Sequence, residues 1–235
     1  MFISLIPLHA CWAKKGPDIY KLASQSVYLV EVFDQSSTKP ISKGSAVALS
    51  HDTLVTNCHV LTNGFRFYIA DDEDHFVATV LKHFYSQDVC LLLVQGVKLH
   101  PSSYKSSNQV AIGDQAYALG SPLGLSRSFT QGIISQKHFI NGNVYYQTDS
   151  DIYPVSSGGG LFDENANLIG ITSAAILPKE SQGAIGMAIS IDLLIPYING
   201  NRFSEMKDEP PSPSNLQQAN LKKLIRQRSN ILNRM

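Results

Sequence analysis

Three short stretches carry residue types that could do chemistry. In PVSSGGGLFDENANLIGI (154–171), Ser157 is followed by three glycines and then a strand-like run. Glycines after a serine let the chain turn tightly and let a substrate carbonyl come close. Alone, the run also reads as a plain turn. In LVTNCHVL (54–61), an apolar strand ends at a polar dipeptide and His59 follows, placed to face a cleft. A structural histidine is the plainer alternative. In SQDVCLLLV (86–94), Asp88 stands directly before an apolar run that should be buried. A carboxylate at that mouth is costly unless it finds a donor; a strand-start turn residue is the plainer alternative.

Taken together the three describe one reaction. A serine hydroxyl is a weak nucleophile and needs a base, and the base needs a group that fixes its tautomer. The chain order is His59, Asp88, Ser157, with separations of 29 and 69 residues.

The elements that would hold these residues are short strands. Eleven segments alternate with turns: 26–33, 44–50, 53–57, 66–70, 76–82, 89–94, 115–120, 128–135, 143–148, 167–173 and 184–190. Val, Ile, Tyr, Phe and Thr fill them, and Gly, Asn, Asp and Ser separate them. The pattern predicts an all-β barrel or sandwich. Helical periodicity is weak until DLLIPYI (192–198). The polar, turn-rich HPSSYKSSNQ (100–109) is placed to join two half-domains.

Length and composition set the outer bounds. The 235 residues, 43% hydrophobic and 16% charged, are enough to bury a large core and exclude general disorder. Nineteen basic and nineteen acidic residues cancel, which argues against a nucleic-acid partner held by a global basic field. No run reaches 18 apolar residues, so no ordinary transmembrane helix is expected. Three cysteines, Cys11, Cys58 and Cys90, cannot build a disulfide framework.

The two ends differ from the middle. Residues 1–23 read as an N-terminal apolar arm or the remnant of an export signal, MFISLIPLHACWA, followed by Lys14 and Lys15. The basic leader is missing, which suits a true start further upstream. Leu8 to Cys11 also has the outline of a lipoprotein box, with His9 a poor fit. The expectation is export, periplasmic or secreted, with a cytoplasmic location as the alternative. At the other end, residues 201–214 include KDEPPSPS and read as a Pro-rich linker. Residues 215–235 carry Leu221, Leu224, Ile225, Ile231, Leu232 and Met235 at helical spacing, with five positive charges and no acid. They predict a basic amphipathic helix that meets an anionic membrane surface or an acidic partner; a solvated or docked helix is the plainer alternative.

The order His-Asp-Ser is that of the chymotrypsin-type triad, not of the subtilisin or α/β-hydrolase types. The sequence resembles the trypsin-like serine peptidases and, within them, the bacterial HtrA-like (Deg-type) branch. The residues that carry the resemblance are TN-x-HV around His59, D-x-x-LL at Asp88, SGG at Ser157, and ALGSPLGLSRSFTQGIIS (118–135). It extends over about Ser24 to Ile198.

The resemblance implies an all-β fold of two antiparallel six-stranded β-barrels, over about 24–105 and 106–200 within a peptidase domain at 24–200, plus the C-terminal helix. It implies a serine endopeptidase that needs no metal or other cofactor and acts on protein or peptide substrates. Ser157 would attack the scissile carbonyl, His59 would take and return the proton, and Asp88 would orient His59. The N–H groups of Val155 and Ser157 would form the oxyanion hole. The strand around Met187, Ala188 and Ser190 would pair with an extended substrate. Asp151, six residues before Ser157, would select Arg or Lys if buried at the base of the specificity pocket.

Several positions depart from the family. Val155 stands where glycine is usual, and a β-branched residue disfavours positive φ. That feature favours the alternative function, a catalytically weak trypsin-fold peptide-binding or adaptor protein. Ser156 replaces the aspartate that pairs with a freed N-terminus, so activation by N-terminal cleavage is not expected. Only 35 residues follow Gly200, too few for a PDZ domain. In this fold Cys58 and Cys90 both point into the first barrel. Buried free thiols are the reading taken, a disulfide is the alternative, and a metal site with His59 is disfavoured because adjacent side chains diverge.

Overall fold

A computed structural model describes residues 14–71, 74–121, 127–152, 156–176 and 185–198. Twelve strands form two closed six-stranded barrels, all of whose strand pairs are antiparallel. The first contains β1 (Val27–Phe33), β2 (Ser42–Ala48), β3 (Thr53–Thr56), β4 (Arg66–Asp71), β5 (Asp74–Phe84) and β6 (Val89–Val94), in the order β1-β2-β3-β6-β5-β4. The second contains β7 (Gln115–Gly120), β8 (Ser128–Ile140), β9 (Asn143–Thr148), β10 (Gly160–Phe162), β11 (Leu168–Ile176) and β12 (Ile185–Ser190), in the order β10-β11-β12-β9-β8-β7.

Side chains alternate along a strand, and here both faces are apolar where the barrels meet. On β6, Cys90, Leu92 and Val94 fill the first barrel, while Val89 and Leu91 face the seam between barrels. On β7, Ala116 and Ala118 fill the second barrel, while Tyr117 and Leu119 face the seam. This double burial is why VCLLLV has no polar member. Each fully buried leucine contributes about 1.5–3 kcal/mol of transfer free energy. Helix α1 (Gly16–Ala23) carries Pro17 in its first turn, where a missing N–H costs nothing, and docks Ile19 and Ala23 onto the seam. A short helix α2 (Ile195–Ile198) follows β12.

The sequence pattern has eleven strand segments, and the structure has one more, β10. Its three residues close the second barrel by pairing β7 on one side and β11 on the other. It was hidden because it begins in the glycine run after Ser157, and glycine is depleted in strands. The chain between β6 and β7 straps both barrels: Ser102 N–H donates to Ala48 C=O, and Lys105 N–H to Leu168 C=O. The N-terminal apolar stretch 1–13, the linker at 201–214 and the basic tail at 215–235 lie outside the described residues.

Candidate active site

His59 sits on a 3₁₀ turn, Cys58–Leu61, that begins where β3 ends. Its side chain is 44% exposed, while Cys58 and Val60 on either side are buried in the first barrel. Asp88 occupies the tight turn just before β6, with φ 57°, a conformation that aspartate tolerates better than most residues. The two meet in a bidentate arrangement. His59 Nδ1 lies 2.5 Å from Asp88 Oδ2, and the His59 backbone N–H donates to Oδ1 at 2.9 Å. A carboxylate can only accept, so Nδ1 carries the proton and Nε2 is left free to accept one. The negative charge of Asp88 also reaches Tyr145, whose hydroxyl is pushed up first by burial and then by that charge.

Ser157 belongs to the other barrel, yet its loop is fastened to the first. The Ser45 N–H on β2 donates to Ser157 C=O at 2.9 Å. Ser45 C=O accepts from Thr56 Oγ1 at 2.7 Å, and Ser45 Oγ accepts the Ser121 N–H at 2.8 Å. From the second barrel, Thr172 Oγ1 donates to Ser156 C=O, and Gly158 N–H donates to Thr172 C=O. Gly158 has φ 83° and abuts the Ser45 carbonyl and Asn57 so closely that no Cβ would fit. A positive-φ glycine is what turns the chain here.

Ser173 lies between the acid and the serine. It sits at a register shift of β11, between Thr172 and Ala174. Its hydroxyl donates to Asp88 Oδ2 and its carbonyl accepts from Ser157 Oγ, both at 3.4 Å. Residues from both barrels therefore converge on one spot. Ser45, Thr56, Asn57, Thr172 and Ser173 all take part; Thr56 and Asn57 belong to the TN-x-HV motif, whereas Ser45, Thr172 and Ser173 had no sequence signal beyond being ordinary small polar residues.

Three sequence expectations change. Cys58 and Cys90 are joined as a disulfide rather than left as free thiols. The β3–β6 register puts Thr56 opposite Cys90, which brings the Cα of Cys58 to 5.0 Å from that of Cys90, inside the bonding range. Met187, Ala188 and Ser190 lie on β12, which pairs with β9 along one edge and β11 along the other. Both edges are filled at Met187 and Ala188, so a substrate strand cannot add there. Asp151 is exposed rather than walled in, and its backbone carbonyl accepts from Thr130 Oγ1. Val155 lies outside the described residues.

Known proteins resemble this chain in family and fold. Residues 44–171 match a family model described as a trypsin-like peptidase domain. A probable periplasmic serine endoprotease DegP-like of Chlamydia trachomatis is 31% identical over 65% of this chain and 32% of its own length. The periplasmic pH-dependent serine endoprotease DegQ of Escherichia coli is 31% identical over 63% of this chain and 34% of its own length. The chain thus spans about a third of the curated relatives it matches. Among solved structures, an HtrA-type protease, AlgW, in a variant with a bound tripeptide, superposes with a TM-score of 0.70 at 27% identity, over 85% of this chain and 70% of that one.

Proposed function

The chain belongs to the trypsin-like peptidase family, in its HtrA-like branch, and from that premise we propose that it is a serine endopeptidase working through His59, Asp88 and Ser157. The observation that carries the proposal is the bidentate Asp88–His59 pair on one barrel, with Ser173 bridging from that carboxylate to the Ser157 hydroxyl on the other.

The chemistry follows from the donors and acceptors. Ser157 Oγ attacks the carbonyl carbon of the scissile bond and gives its proton to His59 Nε2. Asp88, hydrogen-bonded to Nδ1–H, stabilises the imidazolium without taking the proton itself. The carbonyl oxygen becomes an oxyanion and is met by backbone N–H donors at Ser157 and Val155. The carbon–nitrogen bond then breaks as His59 returns the proton to the leaving amine. An acyl-enzyme on Ser157 remains, and a water activated by His59 hydrolyses it.

The substrate is a protein or peptide in extended form. β11 pairs with β12 through Ile176, while its opposite edge beyond Thr172 has no strand partner among the described residues. That edge starts at Ser173, beside Ser157. A peptide added there as a strand would bring its carbonyl to the serine. The site of action is the periplasm or another exported compartment. Relatives carry periplasmic names, and a disulfide persists in an oxidising compartment.

The test is hydrolysis of casein by the full chain and by Ser157→Ala and His59→Ala. Both variants should be folded and inactive. Hydrolysis by Ser157→Ala at the wild-type rate would overturn the assignment.

A further inference from the structure

The disulfide sits at a particular place. Cys58 directly precedes His59, and Cys90 follows Asp88 by two residues. We propose that Cys58 and Cys90 are positioning residues, whose bond holds Asp88 against His59 and so sets the orientation of the base. The inference rests on the reading of His59 as base and Asp88 as its partner.

Three consecutive residues, Asn57 to His59, are tied to Asp88 and Cys90. Asn57 Nδ2 donates to Asp88 C=O at 2.8 Å. Cys58 N–H donates to the same carbonyl at 3.3 Å, beyond the usual range for a strong bond. His59 makes its two contacts with the carboxylate. The disulfide is the one covalent tie among these.

The other ties are non-covalent and can be broken by a local change. Asp88 lies in the left-handed region, which an L-residue leaves readily once released. A change of φ there would swing the carboxylate away from the ring. His59 is half-exposed, so water competes for the same carboxylate oxygens. The cystine, by contrast, is 5% and 3% exposed at its two residues. It is packed among Tyr28, Val30, Leu54, Val60 and Leu92 in the first barrel. It anchors both chemical residues to the rigid part of the fold, one residue from the base and two from the acid. Such a bond also makes the site complete only after oxidation. Two thiols give up two electrons and two protons; a low-molecular-weight disulfide such as oxidised glutathione accepts them and leaves as two thiols.

The experiment uses the full chain in a Cys11→Ser background, so that one pairing alone can form. The protein is unfolded and refolded in dithiothreitol, which reduces the bond to two thiols and is itself oxidised to its ring disulfide, and the reagent is then removed. Half is then reoxidised with oxidised glutathione. Cys58→Ala/Cys90→Ala and the better-filled Cys58→Ala/Cys90→Val are carried alongside, so that misfolding of one form leaves the others to be read. Circular dichroism selects the folded forms. Two readouts follow: kcat and KM on a peptide substrate, and the downfield proton resonance of His59 Nδ1–H, assigned by its absence in His59→Ala.

Folded forms without the bond should keep KM within about twofold and lose on the order of 10–100-fold in kcat. They should lose the His59 resonance, and reoxidation should restore both. A folded, disulfide-free form with the resonance and kcat unchanged overturns the proposal. The resonance needs no turnover. A wild-type protein that shows it but cleaves nothing would therefore overturn the peptidase reading while the clamp is still measured.

Discussion

Replacing Gly158 by alanine should damage both stability and chemistry, by amounts that a second glycine helps to separate. Gly158 has φ 83°, and Gly142, in the β8–β9 turn, has φ 77°. Either substitution places a Cβ in the left-handed region, at about 1–2 kcal/mol. Either also lowers the entropy of the unfolded chain by a similar amount, so that contribution cancels in the comparison. They differ in their surroundings. A Cβ at Gly142 meets nothing within 4 Å, whereas one at Gly158 runs into the Ser45 carbonyl and the Thr56 hydroxyl and lies 3.1 Å from Asn57 N. Those atoms are fixed by the Thr56–Ser45 hydrogen bond and cannot simply rotate aside. Overpacking of this kind costs about 1–3 kcal/mol more. At about 2–4 °C per kcal/mol, Gly158→Ala should melt about 2–12 °C below Gly142→Ala. Because Ser157 is the adjacent residue, Gly158→Ala should also slow labelling by a fluorophosphonate at least about tenfold. Thermal melts and labelling rates on the two variants give the answer. If Gly158→Ala melts no lower than Gly142→Ala and labels at the wild-type rate, the loop is not wedged against the first barrel and the reasoning fails.

Two further outcomes follow from the same structure. Asp88→Asn keeps one accepting oxygen for two donors, the His59 N–H and Nδ1–H, and favours the wrong imidazole tautomer; kcat should fall about 10⁴-fold with KM little changed, measured on a peptide substrate. Burial pushes the Tyr146 hydroxyl up to about 12, so the fold favours the neutral phenol. That stability is present below the ordinary phenol value of about 10 and is lost as pH rises through about 12. Tm should fall across that window, and Tyr146→Phe should lose less of it; equal slopes would contradict the assignment.

The parts legible in the sequence were the contiguous ones. VCLLLV announces a strand buried on both faces, and Asp88 before it and His59 after TLVTN are read from their immediate neighbours. Contacts across the chain were not legible. Ser45 reaches Ser157 over 112 positions, and Ser173 reaches Asp88 over 85, through hydroxyl and backbone groups that look the same anywhere. The Cys58–Cys90 pairing depended on the β3–β6 register, which composition does not state. The assignment of a free edge to Met187–Ser190 failed for the same reason. Strand neighbours are a property of the closed barrel, and closure ran through β10, a three-residue strand hidden among glycines.

The peptidase reading requires Ser157 to be an activated nucleophile. Mass-spectrometric mapping of the adduct formed by a fluorophosphonate probe tests it most directly. One modified residue, Ser157, is expected in the native protein, with little modification in His59→Ala and none in Ser157→Ala. A native protein that stays unmodified, or an adduct that persists at another residue in Ser157→Ala while peptide hydrolysis continues, would contradict it.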